Sequence, residues 1–196
     1  MQSPLELIDD AAPDRSLPAH RPGSERESPS SPGNWYALYT RHQHEKVIAR
    51  HLSEMGFEVF LPLAREIHQW GDRRKTIEVP LFPSYVFLFG SLNRQIEILN
   101  VPGACWFVSS GGKVGIISPA EIDALRRTVT SQLPYEPHPF VQCGERVRVR
   151  CGPLAGIEGV VMRRKGATRL VLPVAMLRRS VSVEVDEAHV ERVPWG

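Results

Sequence analysis

No stretch of this 196-residue chain approaches the ~18 consecutive apolar residues that a membrane-crossing helix requires, so the sequence predicts no membrane span. Cysteine is scarce. Cys105, Cys143 and Cys151 are odd in number and show no C-x-x-C spacing, which argues against a disulfide scaffold and against a four-thiolate zinc framework. The seven His do not group with these Cys or with carboxylates at ligand spacing. G-x-S-x-G, P-loop and H-E-x-x-H patterns are absent, so no catalytic residue, metal or cofactor is expected and the protein is read as a non-enzyme. The opening residues, MQSPLELIDD, lack a basic stretch followed by an apolar core, the pattern of a secretory leader. A cytoplasmic protein with reduced thiols is the expectation.

Aromatic residues are missing from positions 1–33, which hold six Pro, six Ser and a charge of −3. Such a segment cannot bury enough apolar surface to offset its ordering entropy and reads as an acidic, disordered tail. The formal net charge of +2 therefore conceals a segregation, because Gly144–Gly196 alone carries ten Arg and Lys against six acids. A small basic unit of this kind suits a polyanion or an acidic protein surface.

Between these ends the pattern is mixed. Trp35–Thr40 is a β-prone run. Over His44–Gly56 the residues Val47, Ile48, His51, Leu52 and Met55 recur at amphipathic helical spacing, with Gly56 as the stop. Phe57–Ile67 reads as a strand broken at Pro62, and Gly71-Asp72 turns it back along Lys75–Val79. Leu81–Phe89 is the most apolar stretch and predicts a central strand, and Leu92–Leu99 a short helix. Trp106–Val108 and Val114–Ile117 bracket a Gly111-Gly112 turn. Ser118-Pro119-Ala-Glu121 is a capping box with proline at the first helical position, and the helix it opens should run to about Leu133. Residues 34–133 thus predict an α+β domain, an antiparallel sheet flanked by helices. Pro134–Pro139 has three prolines in six residues and reads with its neighbours, 134–143, as a semi-rigid linker. In 144–196 the short Val- and Leu-rich runs alternate without helical period, which predicts a small all-β, SH3-like barrel of five strands.

At Gly144-Glu-Arg-Val-Arg-Val-Arg-Cys-Gly-Pro-Leu-Ala-Gly-Ile-Glu-Gly159 the sequence resembles a KOW motif, as found in NusG-type transcription elongation factors and some ribosomal proteins. Val183–Asp186 and Val190–Arg192 look like the closing strand and tail of that domain. Upstream, Trp35-Tyr-Ala-Leu38 and Phe82-Pro-Ser-Tyr-Val86 resemble the opening strand and the F-P-G-Y-V signature of the NusG N-terminal domain, and Pro102-Gly103 with Phe107-Val108 its P-G-V…F-V segment. Ser84 stands where the family has Gly, which weakens the expectation of left-handed backbone there. The string from Asp72 to Phe87 looks more like the specialised RfaH, UpxY and LoaP paralogues than like housekeeping NusG.

The resemblance implies an elongation and antitermination factor that docks on RNA polymerase, at the β′ clamp helices and the β gate loop, and suppresses pausing. The matching docking residues are Phe82, Tyr85 and Phe87. In the specialised paralogues a basic-polar patch also touches the non-template DNA strand; the matching positions are Arg41, His44, His51, Arg94 and Gln95. Arg73 and Arg74 on the hairpin tip are further candidates for nucleic acid. Met176, Leu177 and Arg178 match the barrel loop that meets the termination factor Rho or the ribosomal protein NusE, although an aromatic residue is expected where Leu177 stands. The Val-rich strands favour a permanent barrel over one that refolds into helices, and the protein is expected to be a monomer. Two alternatives stay open: a housekeeping NusG that couples polymerase to Rho or the ribosome, and an RNA-binding, ribosome-associated KOW protein.

Overall fold

In a computed structural model of the chain, residues 33–70, 73–141, 144–164 and 166–193 are described. The acidic tail expected over 1–33 lies, but for Gly33, outside them.

Strand β1 (Asn34–Thr40) is followed by α1 (Glu45–Glu54), β2 (Glu58–Phe60), β3 (Leu63–Trp70), β4 (Arg73–Pro80), β5 (Tyr85–Gly90), α2 (Gln95–Leu99) and β6 (Ala104–Phe107). Three two-residue strands come next, β7 (Ser109–Ser110), β8 (Lys113–Val114) and β9 (Ile116–Ile117), and then α3 (Pro119–Thr130). The central sheet runs β2-β5-β1-β6, with β9 beside β1 beyond the end of β6. Its strands are antiparallel, and the register Trp35↔Phe89, Ala37↔Phe87, Tyr39↔Tyr85 sets alternate residues on opposite faces. Tyr36, Leu38, Leu88 and Phe107 pack on Ile48 and Leu52 of α1 and Ile98 of α2. Trp35, Ala37, Phe87 and Ile117 pack under Ile122 and Leu125 of α3.

The predicted helix signals take effect as read. Gly56, at φ 86°, follows the C-cap of α1. Ser118 Oγ accepts the Ala120 N–H at 3.2 Å, while Glu121 Oε2 accepts the Ser118 N–H at 3.0 Å. α3 stops at Thr130, one turn short of Leu133, because Gln132 adopts a left-handed φ of 61°. The central strand also starts later than its apolar run suggests, at Tyr85. Leu81–Ser84 form a turn in which Ser84 has φ 68°, so the left-handed conformation is kept without the glycine.

The proline-rich segment departs from its reading as a linker. Tyr135–Pro139 is a strand, β10, paired in unbroken register with β14 (Arg179–Val185). With β11 (Glu145–Val149), β12 (Glu158–Arg164), β13 (Ala167–Val174) and β15 (Val190–Arg192) it completes a six-stranded antiparallel sheet, order β10-β14-β13-β12-β11-β15. Pro137 and Pro139 are tolerated because β10 lies at the edge, where one side of the backbone has no ladder partner to lose. The interior is Val147, Val149, Leu170, Leu172, Val181 and Val183, all nearly inaccessible.

Candidate docking surface

The α3-facing side of the central sheet is covered unevenly. Near its Trp35 end, Arg126 of α3 lies over the Trp35 and Phe60 rings, 4.9 and 5.3 Å from their centroids, and pairs with Glu58 at 2.8 Å. At the opposite end the same face carries Tyr39, Tyr85 and Trp106, adjacent by strand register. Tyr39 stacks on Trp106 with centroids 4.4 Å apart and planes 12° from parallel, and meets Tyr85 edge-on at 5.3 Å. Trp106 is 56% exposed and the two tyrosines are partly exposed. The result is a preformed aromatic surface whose rings hold each other in place, the kind of anchor set that dominates binding energy at protein interfaces.

Of the three expected docking residues, only Tyr85 belongs to this surface. Phe82, 2% exposed, and Phe87, at 0%, are core, locked edge-on to each other at 5.9 Å. This corrects their reading as contact residues, because a side chain already closed off by its own domain offers no area to a partner. Tyr39 follows from the alternation of Trp35-Tyr-Ala-Leu-Tyr39, which sets it on the face of Trp35 and Ala37. Trp106 had only the weak signal of a large aromatic beside the inward-facing Phe107.

The expected nucleic-acid positions divide between the two ends of α1. Arg41 and His44 are exposed at its start, where the Arg41 N–H donates to Gly103 O at 2.8 Å, close to β6 and Trp106. His51 lies two turns along the helix, about 10 Å away at 1.5 Å per residue, and Arg94 and Gln95 lie beyond its far end, about 15 Å away. There Arg94 is engaged by its own domain. It pairs with Glu97 at 2.7 Å, reaches Met55 O at 3.4 Å and lies over the Phe57 ring at 4.2 Å. Arg74 is exposed near the tip of the β3–β4 hairpin, roughly 20 Å along the strands from Leu63. The Arg73 side chain lies outside the described residues. Among the described residues these positions do not form one continuous basic patch; Arg41 and His44 are the pair that borders the aromatic surface.

The barrel loop expected to meet Rho or NusE faces α3 instead. Ala175 N–H donates to Glu121 Oε1 at 3.1 Å, and the Met176 side chain covers Gly115 where a methyl group would overlap it. Leu177 is 6% exposed, whereas Arg178 is exposed, with its guanidinium 5.7 Å from the Phe140 centroid. Arg127 of α3 adds bonds of 2.8 Å to the carbonyls of Pro153 and Ala155. Tyr135 Oη donates to Leu63 O at 2.6 Å, and burial raises the phenol's pKa above its ordinary value, offset in part by the Arg65 charge. No helix among the described residues is long and apolar enough to cross a membrane, and no trio of His, Cys, Asp or Glu there is placed to hold a metal ion.

Comparison with known proteins adds the remaining evidence. Residues 33–126 match the family model described as transcription termination factor NusG. The transcription termination/antitermination protein NusG of Halalkalibacterium halodurans is 25% identical over 175 residues, covering 82% of this chain and 98% of that protein. The NusG of Escherichia coli O6:H1 is 29% identical over 154 residues, 76% of this chain and 84% of its own length. A solved structure titled as domain interaction in Thermotoga maritima NusG overlaps 83% of this chain and 98% of its own at 20% identity, with a TM-score of 0.48. The opening strand, the F-P-x-Y-V turn and the P-G segment all lie within the matched residues, and residues 33–126 are a NusG-family domain.

Proposed function

We propose that this protein is a transcription elongation and antitermination factor that binds RNA polymerase through Tyr39, Tyr85 and Trp106 and suppresses pausing. The observation that carries the reading is the exposed, mutually stacked aromatic cluster at the uncovered end of the sheet. Such a surface suits an apolar helical partner, the chemistry expected of the β′ clamp helices. Arg41 and His44 border it, where a guanidinium can pair with phosphate or stack on an unpaired base of the non-template strand. The string from Asp72 to Phe87 favours an operon-specific paralogue. Recruitment of Rho or NusE through Ala175–Arg179 would require this turn to leave Glu121 and Gly115.

The test is a pause assay with purified polymerase, where added protein is expected to shorten pauses; unchanged pausing and termination would sink the proposal. Tyr85→Ala combined with Trp106→Ala should abolish binding to a clamp-helix fragment while leaving the fold intact by circular dichroism. Binding that survives the double change would place the contact elsewhere.

A further inference from the structure

Among the described residues Glu45 is the one charged side chain that is buried, 2% exposed. It opens the first turn of α1, where the partial positive charge of the helix terminus favours a carboxylate. A buried carboxylate still needs donors, and Oε1 receives one from outside the helix, the N–H of Ser84 at 2.7 Å. Ser84 is the residue whose φ of 68° is costly for anything but glycine. Its carbonyl is held as well, accepting the Thr40 N–H at 2.9 Å. Both amide groups of a strained residue are thus tied down, one by the helix and one by β1. Tyr85 leaves this turn directly into its edge-on contact with Tyr39, which stacks on Trp106.

We propose that Glu45 is a positioning residue for the aromatic docking surface: its carboxylate locks Ser84 in the left-handed turn and so fixes the direction in which Tyr85 meets Tyr39 and Trp106. The proposal rests on the polymerase-binding reading for its consequence, though not for its geometry. Where glycine would adopt the turn freely, this chain has serine, and the conformation is imposed from outside by a buried acceptor. Ser84→Gly should therefore make Glu45 dispensable, a rescue that a general packing role does not predict.

The full-length chain is compared with Glu45→Ala, Glu45→Gln, Ser84→Gly and the Glu45→Ala/Ser84→Gly double variant. The readouts are the Ser84 amide and Trp106 indole NMR resonances and affinity for a clamp-helix fragment. Glu45→Ala should move both resonances and weaken binding about tenfold, equivalent to ~1.4 kcal/mol. Glu45→Gln, which retains an acceptor oxygen, should stay near wild type, and the double variant should regain both resonances and affinity. Should Glu45→Ala fail to fold, Glu45→Asp keeps the charge at the helix start but withdraws the oxygen, and the same resonance shifts are expected. Unmoved resonances in the Ala or Asp variant, or no recovery with Ser84→Gly in a folded double variant, would overturn the proposal. Resonances that move and recover as expected, in a wild-type protein that does not bind the fragment, would overturn the polymerase reading and leave the positioning role standing.

Discussion

Phe87 and Trp106 are both large aromatics of the central sheet, yet their burial assigns them opposite tasks. Phe87 has no accessible surface and packs on Phe60 and Phe82. Truncating it to Ala should cost about 3–5 kcal/mol in urea denaturation, through lost transfer energy and an unfilled cavity. Trp106→Ala, at 56% exposure, should leave the urea midpoint close to wild type while reducing partner affinity. Thr40 adds a finer case, since its buried Oγ1 has no hydrogen-bond partner among the described residues. Thr40→Val exchanges that hydroxyl for a methyl of similar size and should raise the urea midpoint, because an unsatisfied buried polar group costs about 1–3 kcal/mol. A lower midpoint would show that the hydroxyl is satisfied in solution.

The capping box of α3 shows an element doing more than its local pattern indicates. Glu121 spends Oε2 on the Ser118 N–H and Oε1 on the Ala175 N–H of the barrel turn, so one side chain both starts the helix and anchors the barrel. β10 behaves similarly: it is the edge strand of the barrel, and it carries Tyr135 to the carbonyl that starts β3. Tyr135→Phe should lower stability by roughly 0.5–1.5 kcal/mol, the net value of a typical hydrogen bond. The pH dependence has a definite sign. Because burial raises the Tyr135 pKa, the folded state favours the neutral phenol. Its contribution is fully present below the unfolded value near 10 and is lost as pH rises through the higher folded value. Thermal melts across the alkaline range should show this loss in wild type and a smaller one in Tyr135→Phe.

At the scale of the molecule, one apolar cluster runs from the α3-facing side of the sheet through Ile122 and Leu125 into Leu154, Ile157 and Leu172 of the barrel. Arg127, Glu121, Met176 and Tyr135 frame the seam. The link is short, since only residues 131–134 separate α3 from β10. Backbone 15N relaxation should therefore return a single rotational correlation time for the sheet domain and the barrel. Arg127→Glu, which replaces the donor to two carbonyls with a repelling carboxylate, should separate them into two times. Two correlation times already present in the wild type would show that the seam does not hold in solution.

What was legible in the sequence was local or periodic. The α1 stop at Gly56, the Ser118 capping box, the β3–β4 hairpin and the Val-rich strands of 144–193 depend on neighbours a few residues away, so pattern and turn chemistry were sufficient for them. Tyr85 was legible from the F-P-x-Y-V string. The rest depended on contacts distant in sequence. Only the register of β1 against β5 and β6 gathers Tyr39, Tyr85 and Trp106, and only the packing of Phe60 and Phe82 closes off Phe87 while they stay open. Ser84 stays left-handed because a carboxylate 39 residues earlier holds its amide, which no propensity of serine foretells. Pro134–Pro139 joins the barrel because β14 offers it an open edge. The sequence by itself determined which segments become helix and strand and where they stop. Tertiary structure decided which aromatic faces remain open, because solvent exposure belongs to what packs against a residue and is not encoded in the residue alone.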